Sequence, residues 1–294
     1  MTKRSGGGIA WIALVWVGLQ AAGARSAGAV EGMTVSDRSA DTVRMAPGSL
    51  WIVSAAGEIG RAPTVTLLGE THPMYRYREK WIAPVALYSR TPAGPYVAIL
   101  KEGGNEVQRI PFRIVAADFP TQWIKMAKDK SSLQSPELLK KEREILEAAF
   151  ARSGPTPLWR GAFQLPLAGT RVTSDFGRTR YVNGKFWSRH GGLDLAAPLG
   201  KVAVAGNSGR VILARRLWMR GNTLVIDHGV GVVSVYNHLS AFLVREGDPV
   251  AKGQAVAKVG ATGFVTGPHL HWEIRAAGTP TNPWPLLKSG IALP

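Results

Sequence analysis

HLHWEIR, at residues 269–275, closes a series of short apolar runs that fill the second half of this 294-residue sequence. Before it come RVTSDFG (171–177), the run Val202 to Ala205, GRVILARR (209–216), NTLVIDHG (222–229), GVVSVYNHLS (231–240) and QAVAKVG (254–260), with glycines in nearly every gap. Runs of this length, separated by turn residues and lacking a helical period, predict an all-β sheet or sandwich closed by loops. Nearer the N-terminus, between Gly48 and Ala117, the pattern is similar: LWIVS, PTVTLLG, WIAPVALYS, TPAGPYVAIL and VQRIPFRIV alternate with turn clusters. Their β-branched and aromatic content predicts a small antiparallel domain, in which Pro84 and Pro111 mark strand starts, bulges or edges. A helix joins the two, because Ser135 can cap it, Pro136 suits the first helical position, and Leu138, Ile145, Ala149 and Phe150 recur at helical spacing before the Gly154-Pro155 stop. The mixed charges Lys140 to Glu144 read as its solvated face. The fold class is therefore mainly β, divided into a leader (1–29), a β-rich N-terminal domain (30–120), a helical linker (121–158) and a second all-β domain (159–294).

The leader reads as a signal peptide: Lys3 and Arg4 precede the apolar run Ile9 to Ala22, and Ala27-Gly28-Ala29 supplies small residues for cleavage, with Ala24 an alternative point. A retained membrane anchor is the competing reading, but the run falls short of the ~20 apolar residues that span a bilayer. No stable transmembrane segment is expected after cleavage, and the location expected is the periplasm or cell envelope. The sequence contains no cysteine, so it can form neither a disulfide nor a lipid-modified cysteine, and any metal site must use His, Asp or Glu. The formal charge of +16 falls to +13 when Lys3, Arg4 and Arg25 leave with the leader. For an exported chain such charge suits anionic envelope polymers, or simply a solvated basic surface, better than nucleic acid.

Five of the six histidines fall in the second domain: His190, His228, His238, His269 and His271. Imidazole is both the commonest zinc ligand and the usual catalytic base. His269 and His271, two apart on a strand, point to one face of the sheet, so both can reach one metal, or one can bind metal while the other faces a substrate. In His190-Gly191-Gly192-Leu193-Asp194 a flexible glycine turn can bring an imidazole and a carboxylate to one cation. His238 ends the apolar strand of VYNHLS. His72, the sole histidine of the first domain, reads as an incidental surface side chain.

HGGLD, YNHLS and TGPHLHW in that order, together with SDFGRTR at Ser174 to Arg180 and EGDPVAKGQAVAKVGATG at 246–263, resemble the lysostaphin-type, or LytM-type, zinc metallopeptidases that cleave peptidoglycan cross-links. The resemblance runs from about Trp159 to Pro285. It implies a lysostaphin-type peptidase domain in which His190, Asp194 and His271 bind Zn2+, a water fills the fourth position, and His238 and His269 assist catalysis, with their individual roles left open. That fits a catalytic zinc, which takes three protein ligands and keeps one position open. His228 matches a position outside the metal set and reads as structural. The partner implied is the peptide cross-link of peptidoglycan. The competing class is an inactive relative that binds peptidoglycan or activates another hydrolase, and it is disfavoured because all five positions hold the expected residue types.

Overall fold

The computed structural model describes residues 30–31, 34–35, 43–56, 62–126 and 135–294. The expected signal peptide lies outside the described residues. Among them, no helix is long and apolar enough to cross a membrane.

Beside a two-stranded pair, Val30–Glu31 with Thr34–Val35, the described residues of the N-terminal region form two larger sheets. One holds five strands in the order Val43–Met45, Asn105–Ile114, Gly94–Glu102, Thr64–Leu67, Glu70–Pro73, and the other three, Leu50–Ala56, Lys80–Ala86, Tyr75–Tyr77. Alternating residues of both sheets meet in one core of Trp51, Val53, Val65, Leu67, Val85, Leu100 and Phe112. The two prolines obey the edge rule. Pro111 lies just outside the stretch where its strand pairs with Val43–Met45, and Pro84 lies beyond the stretch paired with Tyr75–Tyr77, so each position has a strand neighbour on one side only. His72 is not on the surface: it sits in the Glu70–Pro73 strand at 8% exposure, and burial pushes its pKa down to about 4.

Of the region 121–158, read as a helical linker, the helix occupies Pro136–Phe150, with Ser135 capping Leu138 N and proline in the first turn. Ahead of it, Thr121–Ile124 is instead a strand, pairing parallel with Thr179–Val182 and so joining the second domain's small sheet. The helix does not bridge two bodies through solvent. Its Leu146 and Ala149 pack against Leu213, Val225, Val233 and Val235 on one face of the large sheet. The charged run is not uniformly solvated either: Lys140, Lys141 and Glu144 face out, but Glu142 is 4% exposed.

Beside that small sheet, the second domain holds a ten-stranded sheet whose main path runs Val172–Ser174, Leu193–Ala196, His269–Ala276, Val232–Phe242, Asn222–Asp227, Gly209–Arg216, Pro249–Val250. The histidine strand, His269–Ala276, is central, paired antiparallel with Leu193–Ala196 on one side and Val232–Phe242 on the other. Leu270, Trp272 and Ile274 enter the main core beside Leu193, Leu195, Tyr236 and Leu239. The intervening residues His269, His271, Glu273 and Arg275 therefore point to the opposite face. One element departs from the all-β expectation: Pro283–Ser289 is a short helix, capped by Asn282 and entered through proline. The same N-terminal signals that mark the longer helix are present here, but seven residues are too few to show a helical period.

Candidate metal centre

Register places the first two donors. Asp194 stands directly opposite His271 across the strand pair, and directly opposed residues project to the same face. His190 comes in from the turn before the Asp194 strand. Gly192 makes that approach possible through contact rather than flexibility, since a Cβ there would lie 2.1 Å from the Trp272 carbonyl oxygen.

Three atoms converge: His190 Nε2 lies 3.0 Å from Asp194 Oδ1 and 2.9 Å from His271 Nδ1, and His271 Nδ1 lies 2.8 Å from Asp194 Oδ1. The other ring nitrogens show which electrons these atoms offer. His190 Nδ1 donates to the Asp175 carbonyl at 2.7 Å and His271 Nε2 donates to Glu273 Oε1 at 2.8 Å, leaving His190 Nε2 and His271 Nδ1 with lone pairs. Two imidazole lone pairs and a carboxylate oxygen aimed at one point repel unless a cation or a proton lies between them. A divalent metal fits this donor set, with each histidine oriented by an outer hydrogen bond as ligating histidines usually are. Arg180 hydrogen-bonds Asp194 Oδ2, which leaves Oδ1 for the metal.

Electrostatics agree with those roles. Burial pushes His190 down to about 4 against the pull of Asp194, so it is neutral at pH 7. Burial also opposes ionisation of Asp194, but His190, His271 and Arg180 prevail and hold it well below the usual carboxylate range. Burial lowers His271, while Asp194 and Glu273 raise it further, so in the metal-free protein a proton is favoured where the metal would go.

His238 and His269 flank the donors. Their rings are 5.0 Å apart, and the His238 ring is 6.1 Å from that of His271. His238 Nδ1 donates to the Thr262 carbonyl and His269 Nδ1 to the Gly267 carbonyl, each at 2.9 Å, so both Nε2 atoms are free to accept a proton. His269 Nε2 lies 3.8 Å from Asp194 Oδ1. Burial lowers the pKa of both imidazoles. His238 also adopts φ +64°, a left-handed conformation that is sterically costly outside glycine and concentrates at functional sites.

All five predicted site residues thus come together. His228 does not join them: it is fully buried, bonded through Nδ1 to Ser208 O at 2.7 Å and through Nε2 to Ser234 Oγ at 2.8 Å. Sequence reasoning missed Glu273, Arg180 and Arg220. For Glu273 a signal was present, since it lies two residues beyond His271 and a strand carries every second side chain to one face.

Such a donor triangle, which could hold a metal ion, stands beside two imidazoles that can accept a proton, on a mainly β domain. Over residues 188–283 the chain matches the family described as Peptidase family M23. It is 42% identical over 125 residues to the DD-carboxypeptidase/endopeptidase Mpg of Neisseria meningitidis, covering 42% of this chain and 29% of that one. It is 34% identical over 150 residues to the peptidoglycan DD-endopeptidase ShyA of Vibrio cholerae, covering 51% of this chain and 32% of the relative. The chain therefore spans about a third of the length of these curated relatives. A crystal structure of a candidate peptidase M23 from Pseudomonas aeruginosa superposes with a TM-score of 0.61 at 27% identity, covering 84% of this chain and 96% of the other, so the resemblance in fold includes the N-terminal region.

Proposed function

We propose that this protein is a zinc-dependent endopeptidase that hydrolyses peptide cross-links of bacterial peptidoglycan after export to the periplasm or cell envelope. The observation that carries this reading is the convergence of His190 Nε2, Asp194 Oδ1 and His271 Nδ1 beside the free Nε2 atoms of His238 and His269. The substrate class is supported by relatives named for peptidoglycan endopeptidase activity, and the location by the leader at 1–29.

When bound, zinc supplies Lewis acidity, lowering the pKa of a water toward ~7 and polarising a carbonyl. The chain's own groups do the rest. Burial lowers the pKa of both His238 and His269, so either Nε2 can take the proton of the attacking water and then pass that same proton to the departing amine as the peptide bond breaks. The Thr262 and Gly267 carbonyls hold both rings in the tautomer this requires.

The test is digestion of purified peptidoglycan by the purified chain before and after chelation, with zinc then restored. Release of cross-link-derived peptide fragments that stops with chelation and returns with zinc is the expected result. Intact peptidoglycan in the presence of the zinc-loaded chain would overturn the assignment, and mass spectrometry of the fragments identifies the bond cut.

A further inference from the structure

Glu142 lies on a helix 46 residues before the segment that matches the peptidase family, yet it is buried, and its partners lead to the metal centre. One carboxylate oxygen accepts from the backbone N–H of Met219 at 2.8 Å, and the other lies 3.4 Å from Arg220 Nε. Arg220 Nη1 donates to Glu273 Oε1 at 2.7 Å, and that same oxygen accepts from His271 Nε2 at 2.8 Å. The second Glu273 oxygen accepts from Arg275 Nε at 2.5 Å. Burial favours a neutral Glu273, but Arg220, Arg275 and His271 overcome it and hold the carboxyl well below its usual range.

The turn that carries Arg220 reaches the other side of the site as well. The Arg220 carbonyl accepts from His238 N at 2.9 Å, and the Met219 carbonyl accepts from Phe264 N at 2.8 Å, in the loop whose Thr262 carbonyl orients the His238 ring. Glu142 thus grips a turn that is bonded to a metal-donor histidine through Glu273 and to His238 through the backbone. The arrangement is charge-balanced, two carboxylates against two guanidiniums, in a setting where an unpaired charge is costly. Loss of the Glu142 charge leaves an excess positive charge close to where a dication must sit.

We propose that Glu142 is a positioning residue for the metal centre, acting through Arg220 and Glu273 on His271 and through the Met219-Arg220 turn on His238. This rests on the metal reading above. The linking helix is then part of the working peptidase rather than a spacer, and outer partners of metal ligands typically contribute about 10- to 100-fold in metal affinity or activity.

The experiment compares full chains carrying Glu142→Ala, Glu142→Gln and Leu146→Ala with wild type, by zinc affinity in chelator competition, by kcat and KM on peptidoglycan, and by thermal unfolding without metal. Leu146→Ala weakens docking of the same helix without touching the polar network. Expected is a fall of about tenfold or more in zinc affinity and in kcat for Glu142→Ala, a smaller fall for Glu142→Gln, which keeps an acceptor for Met219 N–H, and little change in zinc affinity for Leu146→Ala despite lower stability. Unchanged zinc affinity in both Glu142 variants, or an equal fall in Leu146→Ala, overturns the proposal. Zinc binding by a wild-type chain that leaves peptidoglycan intact contradicts the proposed function, while the zinc affinities still decide the role of Glu142. A wild-type chain that binds no zinc overturns both.

Discussion

The strand Leu50–Ala56 in the N-terminal region and the strand His269–Ala276 in the second domain are both ordinary antiparallel strands, yet they are buried differently. In the first, buried and half-buried positions alternate strictly, with Trp51, Val53 and Ala55 inward. In the second, every residue from Leu270 to Ile274 is buried, because the apolar side faces the core and the polar side faces the donor cluster and Arg220. A one-sided strand needs only its apolar alternation. A two-sided strand whose second side bears ionisable groups needs a partner for each, since a buried charge without one is costly. Here those partners converge on the proposed metal centre.

Several changes would break or sharpen this contrast. The largest effect is expected from His190→Ala or His271→Ala, which remove one of three donors. Zinc content and peptidoglycan cleavage should be lost together, and retention of stoichiometric zinc by either variant would remove that residue from the donor set. Next come the apolar sides. Phe112→Ala in the N-terminal core and Trp272→Ala in the second domain's core should each destabilise by about 3–5 kcal/mol in denaturant unfolding. Phe112→Ala should leave zinc affinity unaltered in the folded protein. A loss of affinity there would show that the two regions are coupled more tightly than their cores suggest.

A smaller effect follows from His228, the buried imidazole outside the site. Its pKa is pushed from 6.5 to about 4 by burial, with hydrogen bonding to Ser208 and the charge of Asp227 pulling the other way. The unfolded chain binds the proton more readily, so this contribution to stability is complete above about pH 6.5 and is lost as pH falls toward 4. It is on the order of 3 kcal/mol. His228→Gln should lower stability at pH 7 and flatten its fall across that window, as measured by denaturant midpoints. An unchanged slope would mean that His228 does not titrate there. The smallest change is expected from Lys141→Ala, which removes an exposed i,i+4 partner of Glu137. No measurable change in thermal midpoint or zinc affinity is predicted, in contrast with Glu142 one position along.

The donor and flanking histidines were legible in the sequence because they sit in local patterns, HGGLD, YNHLS and HLH, that strand geometry and family resemblance both interpret. The register that puts Asp194 opposite His271 was not legible, because pairing partners 77 residues apart leave no local trace. Glu142 was misread for a related reason. In a run of five charged residues, the one that turns inward is identified by its partners on a distant turn, Met219 and Arg220, rather than by its neighbours. His72 shows the same limit, since exposure belongs to the packed sheets and not to the residue type. The short helix after Asn282 was missed because capping signals alone, without a period behind them, look like a turn.

The division of labour between donors and flanking imidazoles is the central claim, and His238→Ala tests it most directly when zinc content and peptidoglycan cleavage are measured on the same preparation beside wild type and His190→Ala. The arrangement predicts wild-type zinc in His238→Ala with cleavage reduced about 10²- to 10⁴-fold, the usual scale of general acid–base assistance, and loss of both in His190→Ala. Equal loss of zinc from the two variants, or full cleavage by His238→Ala, would contradict it.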